Sequence, residues 1–157
     1  MLEKRRPYEE SARTPLLVRG PGIPAGSRRP EIAANIDLPA TFAEIAGFDP
    51  AGYDGRSLLP LLKGESVPWR DTLMVEWHGV AKKFGGEPGY AALVTQDNRL
   101  YAEHDTGEKE YYDMNADPGQ AENLSGQRPE EEAALAARLA AMKGAAGDTY
   151  RAAENAP

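Results

Sequence analysis

Residues 90–114 read YAALVTQDNRLYAEHDTGEKEYYDM and decide the fold of the C-terminal half of the chain. Three strand-like runs lie in this stretch, separated by Asp97-Asn98 and by Asp105-Thr106-Gly107-Glu108, which are residues typical of tight turns. A further run of the same kind precedes them at 72–77. Because consecutive strands with short connections pair side by side, the spacing predicts an antiparallel meander.

Upstream of the meander, apolar runs alternate with helix signals. The run at 15–18 ends in a glycine- and proline-rich stretch, which predicts a buried strand followed by a turn. Apolar side chains with helical spacing predict an amphipathic helix at about 38–46, with Asp37 capping its first turn. The leucine-rich stretch 54–64 predicts a helix of one or two turns capped by Ser57.

Downstream of the meander, the pattern at 129–143 predicts a long helix. Pro129 and three glutamates open it, which suits the positive end of a helix dipole. Leu135, Leu139 and Met142 lie on one face, so this helix is expected to cover the sheet. The small and polar residues that follow are typical of a flexible tail.

The composition of the 157-residue chain excludes several classes of function. Lys and Arg number 18 against 25 Asp and Glu, and a net charge of −7 argues against nucleic-acid binding by phosphate neutralisation. The absence of Cys excludes disulfides, thiolate metal sites and cysteine nucleophiles within these residues. No apolar run reaches the roughly 18 residues of a membrane span, and the charged N-terminus lacks a signal-peptide pattern. The chain as written is therefore expected to be cytoplasmic.

Local motifs provide no complete active site. Glu76 and His78 share one strand face and are a candidate two-ligand site, although such strand-end pairs are more often solvated or hydrogen-bonded. Asp113, Asp117 and Glu122 resemble a string of calcium ligands, but their intervals miss the EF-hand pattern and a Pro-Gly turn explains them. Gly-x-Ser-x-Gly, the motif of a nucleophile elbow, is absent.

Four longer stretches carry more specific patterns. They read KRRPYEESARTP followed by LLVRGPG at 4–22, NIDLPATF leading to AG at 35–47, DGRSLLPLLKG at 54–64 and EYYDMNADPGQAENL at 110–124. Together they resemble the C-terminal part of the type I sulfatases, in the alkaline-phosphatase-like superfamily. The matching family patterns are K-x-x-x-Y-E-x-S-x-R-x-P, V-D-L-x-P-T, D-G-x-S-L-x-P-L-L-x-G and E-L-Y-D-L-x-x-D-P-x-E-x-x-N-L. The tyrosine-rich stretch 105–112 is similar to bacterial relatives of glucosamine-6-sulfatases.

The resemblance implies a fold of the α/β class, present here as an α+β fragment. The tail of a sulfatase catalytic α/β domain would be followed by a small antiparallel sheet packed by a C-terminal helix. The expected division is 1–68 for the end of the catalytic domain, 69–143 for the sheet and helix, and 144–157 for a flexible tail.

The resemblance also implies an activity, the hydrolysis of sulfate esters, here of sugars. In the family a Cys or Ser in a C-x-P-x-R context becomes formylglycine, whose hydrate attacks the sulfate beside a calcium ion. Lys4 matches the family lysine that contacts the substrate sulfate and is the one catalytic and substrate-binding residue that transfers. A solvated lysine in a basic run is the alternative. The other motif residues are expected to be scaffold around the pocket: Tyr8, Glu9, Ser11 and Arg13.

The chain lacks the rest of that machinery. It has no Cys, and no Ser in the required context, while the family's acidic metal ligands would precede Lys4. No metal ligand and no cofactor are assigned to this chain. Calcium and formylglycine are expected only of a full-length parent protein. That parent could be secreted or periplasmic. The chain alone is expected to be inactive, as the product of a truncated gene, a split reading frame or an internal start.

Two other interpretations stay open. A stand-alone binding or assembly module predicts self-association, or a partner, through a sheet edge exposed at 15–19. A fragment of a related phospho- or phosphonate-ester hydrolase shares much of the scaffold and differs in its nucleophile. Under the sulfatase interpretation the partner is a sulfated small molecule or glycan, and neither nucleic acid nor a membrane is expected.

Overall fold

The computed structural model describes residues 5–81 and 86–155. They form two compact units. The described residues of Met1–Thr14 and Asp71–Pro157 make the sheet unit, and Pro15–Arg70 make the helical unit. The division of the sequence at 1–68, 69–143 and 144–157 stays a prediction about domains.

The helices of both units are short except for one. They are α1 (Glu9–Ala12), α2 (Asp37–Ile45), α3 (Leu59–Lys63), α4 (Pro129–Lys143) and α5 (Asp148–Ala153), with a 3-10 turn at Pro50–Gly52. The helices predicted at about 38–46, within 54–64 and at 129–143 are confirmed. Ser57 Oγ accepts a hydrogen bond from Leu59 N at 3.2 Å, in the capping role expected of it.

The sheet unit is built on a four-stranded antiparallel sheet whose strands follow sequence order. The strands are β1 (Thr72–Trp77), β2 (Tyr90–Thr95), β3 (Arg99–His104) and β4 (Lys109–Asp113). Leu93 on β2 lies opposite Met74 on β1 and Tyr101 on β3, which fixes the register. The predicted meander is confirmed, as is the α+β architecture of a sheet with a C-terminal helix.

Turn residues set the connection between β2 and β3. Thr95 Oγ1 accepts a hydrogen bond from Arg99 N at 2.8 Å, and Asn98 adopts a φ of 62°. Asn tolerates this left-handed conformation better than most residues because its short side chain bonds to the local backbone. The tight turn predicted at Asp97-Asn98 therefore forms.

Both faces of the sheet are apolar and covered, as expected when successive side chains point to opposite sides. One face packs against α4 and α5, and its buried cluster contains Ala91, Leu93, Tyr101, Tyr111, Leu139, Met142 and Ala153. The opposite face, named the Tyr8 face because Tyr8 packs against it, contains Tyr90, Ala92, Leu100, Ala102, Tyr112 and Met114. Burying one leucine stabilises the fold by about 1.5–3 kcal/mol, so both covers contribute substantially.

The segment after Gly144 contains a helix that the sequence pattern does not predict. Residues 144–157 were expected to form a flexible tail, whereas α5 places Ala153 in the sheet core. Thr72 on β1 donates from its backbone N–H and from Oγ1 to the Glu154 carbonyl, at 3.1 and 2.8 Å. These bonds to a distant strand hold the segment in place, and a six-residue helix has too little periodicity to be seen in the sequence.

A buried ion pair organises the helical unit. The two terminal guanidinium nitrogens of Arg70, Nη2 and Nη1, donate to the Asp37 carboxylate at 2.6 and 2.7 Å, and both side chains are fully buried. The same carboxylate accepts hydrogen bonds from the backbone N–H groups of Ala34 and Arg56. Asp37 therefore opens α2, as its position suggested, but it bonds to neighbouring segments instead of capping its own helix.

The apolar side of α2 lies opposite to the side that is buried. Its buried residues are Asp37, Ala40, Thr41 and Ala43. Phe42 and Ile45 are 62% and 63% exposed, although their spacing predicted the core-facing side. Thr41 Oγ1 donates to the Asp37 carbonyl and accepts from Leu58 N, so the polar network around Asp37 determines which side is buried.

The strand predicted at 15–18 is wrong. These residues have no strand assignment, and Leu17 is 93% exposed. A strand is stabilised by a neighbour that pairs with its backbone, and none of the described strands pairs with this segment. The sheet edge expected at 15–19 is therefore absent from this structure.

We expect Asp37→Ala to destabilise the helical unit by about 3–5 kcal/mol, because it leaves the Arg70 charge buried without its carboxylate. The measurement is urea unfolding followed by Trp69 fluorescence in a Trp77→Phe background, because Trp69 lies in the helical unit beside Arg70. Arg128→Ala, which removes an exposed ion pair with Glu131, should cost less than about 1 kcal/mol. Equal effects of the two changes would contradict a structural role for the buried pair.

Candidate functional site

Lys4, the site residue predicted from the sequence, lies outside the described residues, and its role stays a prediction. The structure describes the segment that follows directly, at 5–9. This segment belongs to the sheet unit and lies against the Tyr8 face.

Tyr8 and Glu9 of the lysine motif are anchored by the 110–124 motif. The Tyr8 ring meets the Tyr112 ring edge-on, with centroids 6.1 Å apart and an interplanar angle of 83°. Glu9 N donates to Gln120 Oε1 at 2.8 Å, and Gln120 is largely buried. Two of the four motifs that resemble the family patterns are thus in contact, although they are distant in sequence.

Glu110 is the polar centre of the Tyr8 face. Its carboxylate accepts a hydrogen bond from the Tyr112 hydroxyl at 2.8 Å and lies 2.7 Å from His104 Nε2. The Tyr8 hydroxyl also hydrogen-bonds to Glu110. Burial is the main cause that raises the pKa values of Tyr8 and Tyr112, and their bonds to Glu110 raise them further. Both tyrosines therefore stay protonated at neutral pH and act as donors to the carboxylate.

Arg5 is held beside the end of β1. Its guanidinium carbon lies 5.2 Å from the centroid of the Trp77 ring, and Nη1 lies 3.0 Å from Glu87 Oε2. Arg5 also adopts a φ of 72°, in the left-handed region that residues other than glycine rarely occupy. Trp77 ends β1 and Glu87 lies shortly before β2, so this end of the sheet borders the segment after Lys4.

The residues that resemble a calcium-ligand string form a structured turn. Asp113 forms an ion pair with Arg99 and accepts from Asn115 N at 3.1 Å. Asp117 Oδ2 accepts from Glu122 N at 2.8 Å. The Asp113 and Asp117 carboxylates are thus already engaged within the protein, and the sequence interpretation as a turn agrees with these contacts.

Asn123 in the same motif ties this turn back to the sheet. Its Oδ1 accepts from Tyr111 N at 3.0 Å and its Nδ2 donates to the Lys109 carbonyl at 3.1 Å. Leu124 N donates to the Tyr111 carbonyl at 2.9 Å. Asn123 and Leu124, the last two residues of the motif, thus hydrogen-bond to the backbone of β4. These bonds give both positions a structural role.

In the described part of the chain, the Glu76–His78 pair is not joined by a third potential metal ligand. His78 Nε2 lies 3.6 Å from Glu76 Oε1, and both side chains are largely exposed. Across 5–81 and 86–155, no three His, Cys, Asp or Glu side chains are grouped so as to hold a metal ion. Within the same ranges, no helix has the length and apolar character needed to cross a membrane.

Sequence reasoning missed the residues that hold the lysine motif. Trp77 and Glu87 are distant in sequence from 5–9 and gave no signal, because tertiary contacts decide their neighbours. Glu110 and Gln120 belong to the 110–124 motif, but nothing in the sequence paired them with Tyr8 and Glu9 of the lysine motif. Tyr8 and Glu9 were expected to be scaffold, and their contacts agree with that expectation.

Comparison with known proteins identifies the family. The family profile of N-sulphoglucosamine sulphohydrolase, C-terminal, matches residues 1–144. The human N-acetylglucosamine-6-sulfatase is 34% identical over 96% of this chain and 33% of its own length. The N-acetylglucosamine-6-O-sulfatase of Bacteroides thetaiotaomicron is 35% identical over 79% of this chain and 23% of its own length.

Comparison with solved structures agrees with the sequence comparison. The structure of BT4656 in complex with its substrate D-glucosamine-2-N,6-O-disulfate superposes with a TM-score of 0.80, at 29% identity over 95% of this chain and 31% of that chain. The phosphonate monoester hydrolase of Agrobacterium radiobacter has a TM-score of 0.54 at 21% identity, which shows a shared fold only. This chain spans a third or less of the length of these relatives. With the family profile matching most of its length, the chain belongs to the sulfatases, as a C-terminal part of the N-sulphoglucosamine sulphohydrolase type.

Proposed function

We propose that this chain is the C-terminal part of an enzyme that hydrolyses sulfate esters of an amino sugar, in which Lys4 binds the sulfate of the substrate. The observation that carries this proposal is the contact between two family motifs. The lysine motif is seated on the sheet by the Tyr8–Tyr112 ring contact and by the Glu9–Gln120 hydrogen bond. These contacts hold the segment that follows Lys4 on the sheet.

The role proposed for Lys4 follows from the charge of the substrate. A sulfate monoester is an anion, and further negative charge develops on the leaving oxygen as the ester bond breaks. A lysine ammonium is a compact cation with three donors, so it binds the sulfate and stabilises that charge. The amino-sugar class is supported by the names of the relatives, two of which are N-acetylglucosamine sulfatases.

Formylglycine and calcium, which the family implies, do not fit the residues of this chain. Formylglycine supplies the nucleophile and calcium supplies charge stabilisation when both are present. This chain has no Cys to convert. Within the described residues, no three His, Cys, Asp or Glu side chains are grouped so as to hold a metal ion. We therefore assign both groups to a longer protein that would contain this chain. Its cytoplasmic or exported location stays a prediction.

We expect the 157-residue chain alone to hydrolyse neither an aryl sulfate nor glucosamine 6-sulfate, with or without added calcium. The groups it lacks account for most of a barrier reduction that is about 8 kcal/mol or more in enzymes. The measurement is release of sulfate by the purified chain, with the longer protein as the positive control. Turnover by the short chain would contradict the assignment of the nucleophile to a preceding segment.

We expect Lys4→Ala to lower the kcat/KM of the longer protein for glucosamine 6-sulfate by about 100-fold, the scale for one lost transition-state donor. Lys63→Ala is the matched control, because Lys63 is an exposed lysine at the end of α3. Steady-state kinetics should show no change for the control. Equal kinetics of the two variants would contradict the substrate-binding role of Lys4. Faster hydrolysis of a phosphonate monoester than of the sulfate ester would instead favour the related hydrolases.

A second candidate function is a non-catalytic assembly module, which the surface of the helical unit favours. Phe42, Ile45 and Phe48 are 62–71% exposed, and Leu17 is 93% exposed. Exposed large apolar side chains mark surfaces that another protein surface covers. Under this proposal the short chain associates with itself through these side chains, since the edge strand predicted at 15–19 is not formed.

We expect Leu17→Ser, Phe42→Ser and Phe48→Ser together to reduce self-association of the short chain, because they remove exposed apolar area. Sedimentation velocity at several concentrations measures this change. The control carries Lys63→Ser and Glu65→Ser, two exposed positions whose combined change keeps the net charge. A short chain that is monomeric before any substitution would contradict the assembly proposal and leave the sulfatase proposal standing.

A further inference from the structure

We propose that a groove on the sheet unit, between α4 and the turn that joins β2 to β3, binds a sulfated amino sugar. This α4 groove has a volume of about 500 Å³, and all its lining residues belong to the sheet unit. Pockets of about 300–1,000 Å³ are of the size that holds a small-molecule ligand. The choice of ligand rests on the proposed function and deepens it, whereas the groove itself is built from described residues alone.

Both walls of the α4 groove are fixed by the fold. On the helix wall, Leu135 lines the groove and packs against the buried cluster beneath α4. On the sheet wall, Thr95 Oγ1 accepts a hydrogen bond from Arg99 N at 2.8 Å and donates to Asp97 Oδ1 at 2.5 Å. The groove is therefore formed before a ligand arrives, as ligand sites usually are.

Most of the charged groups that line the groove are paired within the protein. Arg99 forms ion pairs with Asp97 and with Asp113. Glu131 forms an ion pair with Arg128 at 3.2 Å. Because opposite charges at these positions offset one another, they contribute little net attraction or repulsion toward a ligand.

Two lining charges have no partner among residues 5–81 and 86–155. They are the Arg138 guanidinium on the helix wall and the Asp71 carboxylate, which directly precedes β1 on the sheet wall. The backbone of Asp71 is held in place, since its N–H donates to Asn155 Oδ1 at 3.1 Å. The groove thus has one unpaired cation on one wall and one unpaired anion on the other.

This distribution of charge favours a ligand that carries both an anionic group and hydrogen-bond donors. A guanidinium donates to two oxygens of a sulfate group from its planar fork. A carboxylate accepts hydrogen bonds from ammonium and hydroxyl groups. A sulfated amino sugar has its sulfate, amino and hydroxyl groups on one ring, so a single molecule provides partners for both Arg138 and Asp71.

The apolar part of the lining favours a sugar over a free anion. Ala134 and Leu135 add apolar surface to the helix wall. The carbon-bound hydrogens of a pyranose ring lose contact with water on such a surface, which is favourable. An inorganic sulfate ion has no apolar face and gains nothing from it. The groove therefore combines charge recognition with a surface for the ring.

The first test is an NMR titration of the 157-residue chain with glucosamine 6-sulfate, followed through the backbone amide signals. We expect the largest shifts in residues 95–99 and 134–138, with a Kd of about 1 mM for so small a polar ligand. Glucosamine, glucose 6-sulfate and inorganic sulfate each lack one part of the ligand. Each should bind about fivefold more weakly or worse, the scale for one exposed charge contact.

Two variants connect each charge of the groove to a group of the ligand. Arg138→Gln should weaken the binding of glucosamine 6-sulfate by about fivefold and leave that of glucosamine unchanged. Asp71→Asn should weaken glucosamine 6-sulfate by a similar factor without weakening glucose 6-sulfate. Arg28→Gln and Asp54→Asn are the matched controls at exposed positions of the helical unit and should change neither ligand.

Several results would overturn the proposal. Inorganic sulfate that binds as tightly as glucosamine 6-sulfate would contradict a sugar site, and this comparison needs no variant. Binding that is unchanged in both Arg138→Gln and Asp71→Asn, or amide shifts confined to other parts of the chain, would contradict the α4 groove as the place of binding.

These measurements are independent of hydrolysis, so they separate the α4 groove from the proposed function. If the longer protein hydrolyses sulfate esters while the groove binds no sulfated amino sugar, the groove proposal falls and the proposed function stands. If the groove binds the sugar as expected while the longer protein hydrolyses no sulfate ester, the proposed function falls and the binding site stands.

Discussion

A four-stranded sheet with apolar side chains on both faces needs two covers, and this constraint connects the fold to the proposed site. The C-terminal helices cover one face through Leu139 and Met142. On the other face, Tyr8 contributes to the cover. Because burial of apolar surface drives folding, the segment after Lys4 is part of the hydrophobic core and not a free arm. The same packing that stabilises the sheet unit therefore holds the lysine motif against it.

The helical unit depends on a different interaction, the fully buried Asp37–Arg70 pair. Removing two charges from water is costly, and here two backbone donors complete the set of partners around the carboxylate. The network turns the polar side of α2 inward and leaves Phe42 and Ile45 exposed. The exposed Phe42 and Ile45 side chains give this unit an apolar surface region of the kind that marks interaction sites.

The sequence predicted the features that repeat with a regular period and missed those that depend on tertiary contacts. The four strands and α4 follow from alternation, turn residues and helical spacing, all of which are local. The strand at 15–18 failed because an apolar run forms a strand only beside a pairing partner. The helix α5 was missed because its hydrogen bonds to Thr72 come from a strand far away in the chain. Within the site, Tyr8 and Glu9 could be singled out by their motif, whereas Trp77 and Glu87 could not, because register decides their neighbours.

The contact between the lysine motif and the small sheet links the fold of this chain to the proposed function. Glu9 and Gln120 are 111 positions apart, and Arg5 and Glu87 are 82 apart, so these contacts of residues 5–9 form only when the meander has formed. In the proposed function, a sulfate-binding donor stabilises the transition state best when it is fixed before the substrate arrives. A sheet that forms through short-range pairings and then anchors residues 5–9 is suited to that requirement. Its proposed contribution to the reaction is therefore the position of a charge and not a chemical group of its own.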